Sequence, residues 1–143
     1  MKELRTEIEI QAAPEKVWQI LTSLDKYPEW NPLIRRAIGT AKLGEKVDIN
    51  VGSETKEMIL HCVVVKVEPN KQLAWKYNVG MPFLFEGEHS FAIEPLGSNK
   101  VKFVDIETFK GLLVFTQAKD IDTNSKAGFE AMDRALKTRA ELK

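Results

Sequence analysis

One cysteine and two histidines in 143 residues leave little room for several kinds of chemistry. Cys62 has no second cysteine to pair with, so no internal disulfide forms, and a reducing cytoplasm is the expected setting. It lies in a Val/Ile/Leu-rich run and reads as a small buried hydrophobe rather than a nucleophile. His61 and His89 are not one helical turn apart and do not show a metal-ligand spacing, so no metal is expected. Charge of one sign is missing as well. Twenty-one basic residues balance 21 acidic ones, which argues against the phosphate neutralisation that nucleic-acid binding requires. No apolar run approaches the ~20 residues that cross a bilayer, so no integral membrane association is expected. Met1-Lys2-Glu3 leads into a charged strand rather than a signal-peptide core. A nucleotide loop, a Gly-rich phosphate cradle and a Ser/His/Asp nucleophile arrangement are all lacking, so no cofactor is expected either. The length suits one domain, residues 1–143, with a single core.

What is present is alternation. Phe85, Gly87, His89, Phe91 and Ile93 share one parity, Glu86, Glu88, Ser90 and Glu94 the other, as in a strand with one buried face. The turn formers Pro95-Leu96-Gly97-Ser98-Asn99 follow, and Val101, Phe103, Asp105, Glu107 and Phe109 then alternate again. Closing this hairpin with Phe91, Ile93, Val101 and Phe103 inward carries His89, Asp105 and Glu107 to the same interior face. A histidine and two carboxylates thus make a polar spot on an aromatic, aliphatic surface.

The remaining chain fits around that hairpin. Leu4, Thr6, Ile8 and Ile10 alternate with Arg5, Glu7 and Glu9 in a first strand. Pro14 suits a helix start, and Val17, Ile20, Leu21 and Leu24 recur at helical spacing. Asp25 to Pro32 reads as a second short helix or tight turn, with Trp18 and Trp30 pinning the two short helices over a cavity mouth. Leu33–Ile38, Val47–Val51, Met58–Val67 and Leu73–Val79 read as strands. Met58–Val67 is apolar on both parities. Pairing across the Pro69-Asn70-Lys71 turn puts Ile59, His61, Val63, Val65 and Val67 with Trp75 and Tyr77, although periodicity alone leaves this face and that of His61 open. Lys119 to Leu142 reads as one long helix, with a stripe through Ile121, Ser125, Gly128, Met132, Ala135 or Leu136, and Arg139, flanked by Phe129. Gly128 inside it costs about 1 kcal/mol against alanine, so it needs a reason: a groove beside a ligand, or close contact with a strand. A curved antiparallel sheet covered on its inner face by the long helix accommodates all of these elements.

Four segments add a resemblance: Ala13–Trp18 (APEKVW), Tyr27–Pro32 (YPEWNP), Gly87–Gly97 (GEHSFAIEPLG) and Glu107–Leu113 (ETFKGLL). The chain resembles the START-like, helix-grip superfamily, which includes the birch-pollen allergen family. It is most similar to the small bacterial SRPBCC proteins of the polyketide cyclase/dehydrase and lipid transport type. The resemblance spans essentially the whole chain, GFEAMDRALKTRAEL at the end included.

The resemblance implies an α+β helix-grip fold of about seven strands in β-α-α-β6-α order, wrapped round the terminal helix with an internal cavity. It also implies a small hydrophobic ligand there: a lipid, polyketide or aromatic metabolite. Trp75, Tyr77, Phe85, Phe91 and Phe103 are the candidate aromatic lining. His89, Asp105 and Glu107 are the candidate polar contacts, and Gly128, Phe129 and Met132 the candidate contacts from the helix. Some members of the superfamily are cyclases or dehydratases, in which case His89 and Glu107 are the acid/base candidates. Others bind a protein partner. The polar spot is equally compatible with a purely structural cluster. A monomer or homodimer is expected.

Overall fold

The computed structural model describes residues 1–52, 55–80, 83–114 and 121–142. Strand β1 (Lys2–Ile10) leads into helix α1 (Pro14–Thr22) and a 3-10 turn at Leu24–Glu29. Six strands follow: β2 (Ile34–Gly39), β3 (Lys46–Gly52), β4 (Glu57–Glu68), β5 (Gln72–Asn78), β6 (Glu86–Gly97) and β7 (Lys100–Lys110). A wide π-type turn at Ile121–Ser125 opens the terminal helix α2 (Lys126–Glu141). The strands form one seven-stranded sheet in the order β1-β7-β6-β5-β4-β3-β2. Every neighbouring pair is antiparallel. Among the described residues no helix is long and apolar enough to cross a membrane.

Local chemistry explains the entrance to the sheet. Pro14 occupies the first turn of α1, which buries Val17 and Leu21. The hydroxyl of buried Tyr27 donates to Leu21 O at 2.7 Å, satisfying a carbonyl at the end of α1. Trp30 stands edge-on to Tyr27, with ring centroids 5.2 Å apart. Tyr27, which is fully buried, therefore anchors this segment more firmly than the half-buried Trp18 and Trp30.

The central hairpin follows its alternation: Gly87, His89, Phe91 and Ile93 on β6 and Val101, Phe103, Asp105, Glu107 and Phe109 on β7 are buried. Its turn is tighter than the residue types suggested. Pro95, Leu96 and Gly97 stay in the strand with a bulge between Pro95 and Gly97, and Ser98-Asn99 alone make the turn.

Strand β4 corrects the expected pairing. Leu60, Cys62 and Val64 face inward, while Ile59, His61, Val63 and Val65 face outward. The cause is a bulge. The register runs Val67↔Leu73 but shifts by one between Lys66 and Val64, so that Val64 opposes Trp75 and Cys62 opposes Tyr77. Parity counted back from the turn holds at Val67 and inverts beyond the extra residue. His61 therefore lies on the outer face, bonded through Nδ1 to Asp48 at 2.7 Å. Cys62 is buried, and desolvation pushes its thiol up to about 12.

The terminal helix is also shorter and rotated relative to expectation. It begins at Lys126; Lys119 and Asp120 lie outside the described residues, as do Ser53, Met81 and Pro82 of two expected turns. Its buried side is Phe129, Met132, Asp133, Leu136 and Ala140, spaced i, i+3, i+4, i+7 and i+11. Ser125 and Gly128 flank that stripe, and Arg139 leaves it to pair with Glu29 at 2.7 Å. The helix packs chiefly on β1 and touches β7 and α1, which sets its buried stripe over the hairpin's polar residues.

Candidate functional site

The inner face is built in cross-strand rows. Trp75 on β5, His89 on β6, Glu107 on β7 and Leu4 on β1 form one row, and Leu73, Phe91, Asp105 and Thr6 form the next. Directly opposed residues do not make the polar bonds here; diagonal ones do. His89 turns away from Glu107 and donates from Nε2 to Asp105 Oδ1 at 2.5 Å. Glu107 instead accepts from the Tyr77 hydroxyl at 2.5 Å. Tyr77 reaches it because Gly87 lies directly beneath the phenol ring, where any Cβ would overlap Cζ and Oη.

Above these strands, Asp133 of α2 accepts from Thr6 Oγ1 at 2.6 Å through Oδ2. Asp133 Oδ1 and Asp105 Oδ2 are buried and have no ordinary donor, since two carboxylates can only accept. They are in hydrogen-bonding range of each other, so a proton held between them satisfies both. The result is a continuous chain, Thr6–Asp133–Asp105–His89, with Tyr77–Glu107 alongside. Among the described residues no arginine or lysine takes part.

Burial sets the proton affinities. Desolvation pushes Asp105 up to about 7. Desolvation, the charge of Asp105 and the shared hydrogen bond push Asp133 up to about 8. Glu107 is raised by burial against the opposing pull of His89 and of the Tyr77 hydroxyl. His89 is lowered by desolvation, which outweighs the carboxylates near it. Near neutral pH the aspartate pair therefore holds about one proton. The lowered His89 favours its neutral form, and a hydrogen on Nε2 is the tautomer that suits a carboxylate acceptor at Asp105. The ring is held by aromatics: Phe129 stacks on it at 4.8 Å and 6°, and Phe91 lies at 4.2 Å.

Most residues expected at the site converge here. Trp75, Tyr77, His89, Phe91, Phe103, Asp105, Glu107, Phe129 and Met132 are all buried. Phe85 is half-buried and tilts on Phe109 at 5.8 Å. Gly128 stands apart: a Cβ there would lie 2.9 Å from Leu33 Cδ1, the far end of a flexible side chain. The aromatics fill as much as they line. Trp75, Phe91, Phe103, Met132 and Leu136 have essentially no exposure, whereas Tyr77, Glu107 and Phe85 keep some. Thr6 and Asp133 were not among the expected residues. Thr6 shares the inward parity of Leu4 and Ile10. Asp133 lies four residues after Phe129 and three before Leu136, a placement that signals a buried carboxylate once the helix face is correctly phased.

A model of the family described as polyketide cyclase / dehydrase and lipid transport matches residues 1–141. The chain belongs to this family. Among solved structures, the chain is similar to the Zhui aromatase/cyclase from Streptomyces sp. R1128. The TM-score is 0.81 at 13% identity, covering 98% of this chain and 93% of that one. A START superfamily protein from Mycobacterium smegmatis matches with TM-score 0.75 at 20% identity, with 97% of each chain covered. The di-domain aromatase/cyclase BexL from the BE-7585A biosynthetic pathway matches with TM-score 0.75 at 16% identity over 99% of this chain. This chain covers 48% of it, about half its length. No curated protein matches at a significant level. At these identities the structural likenesses establish the helix-grip fold. Family membership supports hydrophobic-ligand binding or a cyclase role without choosing between them.

Proposed function

We propose that this protein binds or carries a small, largely apolar ligand bearing a carbonyl or hydroxyl group, between the inner face of the sheet and α2. The carrying observation is the polar chain itself. Four ionisable side chains (His89, Asp105, Glu107 and Asp133) are buried among aromatics, with no lysine or arginine partner among the described residues. Such an arrangement costs stability that a well-packed apolar core would not. Its retention is accounted for if these groups meet a ligand's polar end. Phe85, Tyr77 and Glu107, at the less completely filled end, form the way in, and the aromatics on either side supply the apolar walls. The same reading takes the chain as one START-like unit over residues 1–143 and as cytoplasmic, the latter supported by a single cysteine that suits a reducing compartment.

Native mass spectrometry of protein freshly purified from its own host tests this reading. A co-purified small molecule, with a rise in melting temperature when it is added back, is the expected result. A clean apo mass, together with no thermal shift across a panel of aromatic and fatty compounds, would sink it.

A cyclase or dehydratase is the second reading, favoured by carboxyl groups that hold protons near neutrality beside a neutral imidazole. In that mechanism His89 and Glu107 transfer protons to and from the substrate, and Asp105 with Asp133 positions His89. It requires His89→Ala and Glu107→Gln to abolish turnover while ligand binding survives.

A further inference from the structure

A cleft of about 720 Å³ lies outside the sheet–helix interior, between the 3-10 turn and strands β2 to β4. Pro28, Trp30 and Pro32 supply its apolar wall, and Arg35, Arg36, Glu29 and Glu57 its charges. A bulge places both arginines there. The β2–β3 register shifts between Ile34 and Arg36, so Arg35 has no opposite residue, and two consecutive side chains line one cleft.

The hydrogen-bond inventory is one-sided. Glu29 is taken by Arg139 at 2.7 Å and Lys26 at 3.7 Å. Glu57 is taken by Arg35 at 3.5 Å and by the Asn50 amide at 2.5 Å. Arg36 is left as the one cleft cation without a carboxylate partner among the described residues. Asn31 lines the same cleft, is 95% buried by its 5% exposure, and its orientation is unambiguous. Its Oδ1 accepts from the N–H groups of Leu33 at 3.0 Å and Ile34 at 2.9 Å, which turns Nδ2 away from them. Among the described residues Nδ2 has no acceptor, and neither does the adjacent Trp30 Nε1. Unsatisfied buried donors are rare in native proteins because each forfeits its hydration. Two of them on consecutive residues lining the cleft, beside an arginine with no carboxylate partner among the described residues, suit an acceptor that enters the cleft.

We infer that this cleft is a binding site for a monovalent organic carboxylate with an aromatic or apolar body. One uncompensated guanidinium matches one negative charge and has the fork geometry to meet a carboxylate. The two neutral donors add hydrogen bonds, and Trp30 with the prolines covers the hydrocarbon part. This site is separate from the interior site and stands or falls independently of it.

The test is a benzoate titration of the full chain followed by ¹H–¹⁵N spectra, which report the three tryptophan indoles separately. Trp30→Phe identifies the Trp30 signal. The expected result is a saturable shift of the Trp30 indole and Asn31 amide signals, with Trp18 and Trp75 unmoved. Arg36→Gln, at an exposed position, should weaken the affinity at least about tenfold, the loss expected for one charge-assisted pair. Asn31→Asp keeps the oxygen that caps Leu33 and Ile34 but replaces the free donor with a second oxygen, and should abolish the shift. No saturable change up to ~10 mM benzoate, a range that reaches affinities far weaker than typical specific binding, overturns the site. An affinity unchanged in Arg36→Gln overturns it too. Inorganic phosphate moving the same signals at lower concentration than benzoate would overturn the carboxylate assignment.

Discussion

The interior has two halves built on the same inner sheet face, and they obey different rules. In one, Trp75, Phe91, Phe103, Met132 and Leu136 are fully buried and apolar except for the Trp75 indole nitrogen, with Phe91 at 5.4 Å from Trp75 and 6.0 Å from Phe103. In the other, interleaved with the first in the same cross-strand rows, Thr6, Asp105, His89 and Asp133 form a hydrogen-bonded chain beside Tyr77–Glu107. Apolar packing stabilises through area removed from water and is tolerant of chemical detail. The polar half is stabilised only while each member keeps its partner and its proton. The comparison teaches where chemical sensitivity resides: the first half holds the helix on the sheet, and the second responds to the loss of a single partner or proton.

The largest effect should come from the apolar half. Phe91→Ala is expected to cost about 3–5 kcal/mol, measured by urea denaturation, because it opens a cavity among three rings. A loss under ~1 kcal/mol would mean that the ring is not packed on all sides. In the polar half, Gly87→Ala drives the Tyr77 ring off its strand and strips Glu107 of its donor. About 2–3 kcal/mol is expected from overpacking plus an orphaned buried carboxyl. Tyr77→Phe should reproduce the hydrogen-bond part without the overpacking.

Dependence on pH sharpens the contrast further. Asp105 and Asp133 have folded values of about 7 and about 8, against an ordinary 3.8 when unfolded. The folded state therefore binds more protons than the unfolded one above pH ~4, and stability falls as pH rises towards 8. His89, lowered from 6.5, works in the opposite sense: the unfolded state binds more protons below 6.5, and stability falls as pH drops through that range. Between pH 6.5 and 8 the His89 contribution fades and the aspartate pair sets the slope. Melting temperature should decline across that window in the wild type and decline less in Asp133→Asn, whereas Phe103→Ala, whose ring stacks on Phe91 and not on the polar chain, should keep the wild-type slope. Equal slopes in wild type and Asp133→Asn would show that the pair does not hold a proton. The smallest change is Thr6→Val, about 1 kcal/mol from one lost hydrogen bond to Asp133, with the apolar half untouched.

Much of the site was legible beforehand because strand parity is a local rule. His89, Asp105 and Glu107 share a face by counting twos along β6 and β7, and the hairpin turn links them. Parity failed on β4 for an equally local reason. A single bulge between Val64 and Lys66 reverses every face beyond it, and a run of Ile, Val and Leu on both parities carries no mark of where it falls. The helix face was misphased because a stripe counted from Ile121 crosses the π-type turn before reaching Met132, and that turn does not keep the helical period. Correct phasing from Phe129 would have exposed Asp133 as a buried acid.

By itself, then, the amino-acid sequence determined the strand and helix inventory, the polar spot on the hairpin and the family. These rest on periodicity, turn residues and contiguous motifs, all readable within about ten residues. Only the tertiary structure decided which carboxylate holds His89, that Tyr77 takes Glu107, and that Asp133 closes the chain. Those choices join residues as far apart as Thr6 and Asp133. They depend on diagonal reach across strands, on the helix lying over β1, and on desolvation. A carboxyl group keeps a proton at neutral pH only after folding has removed its water.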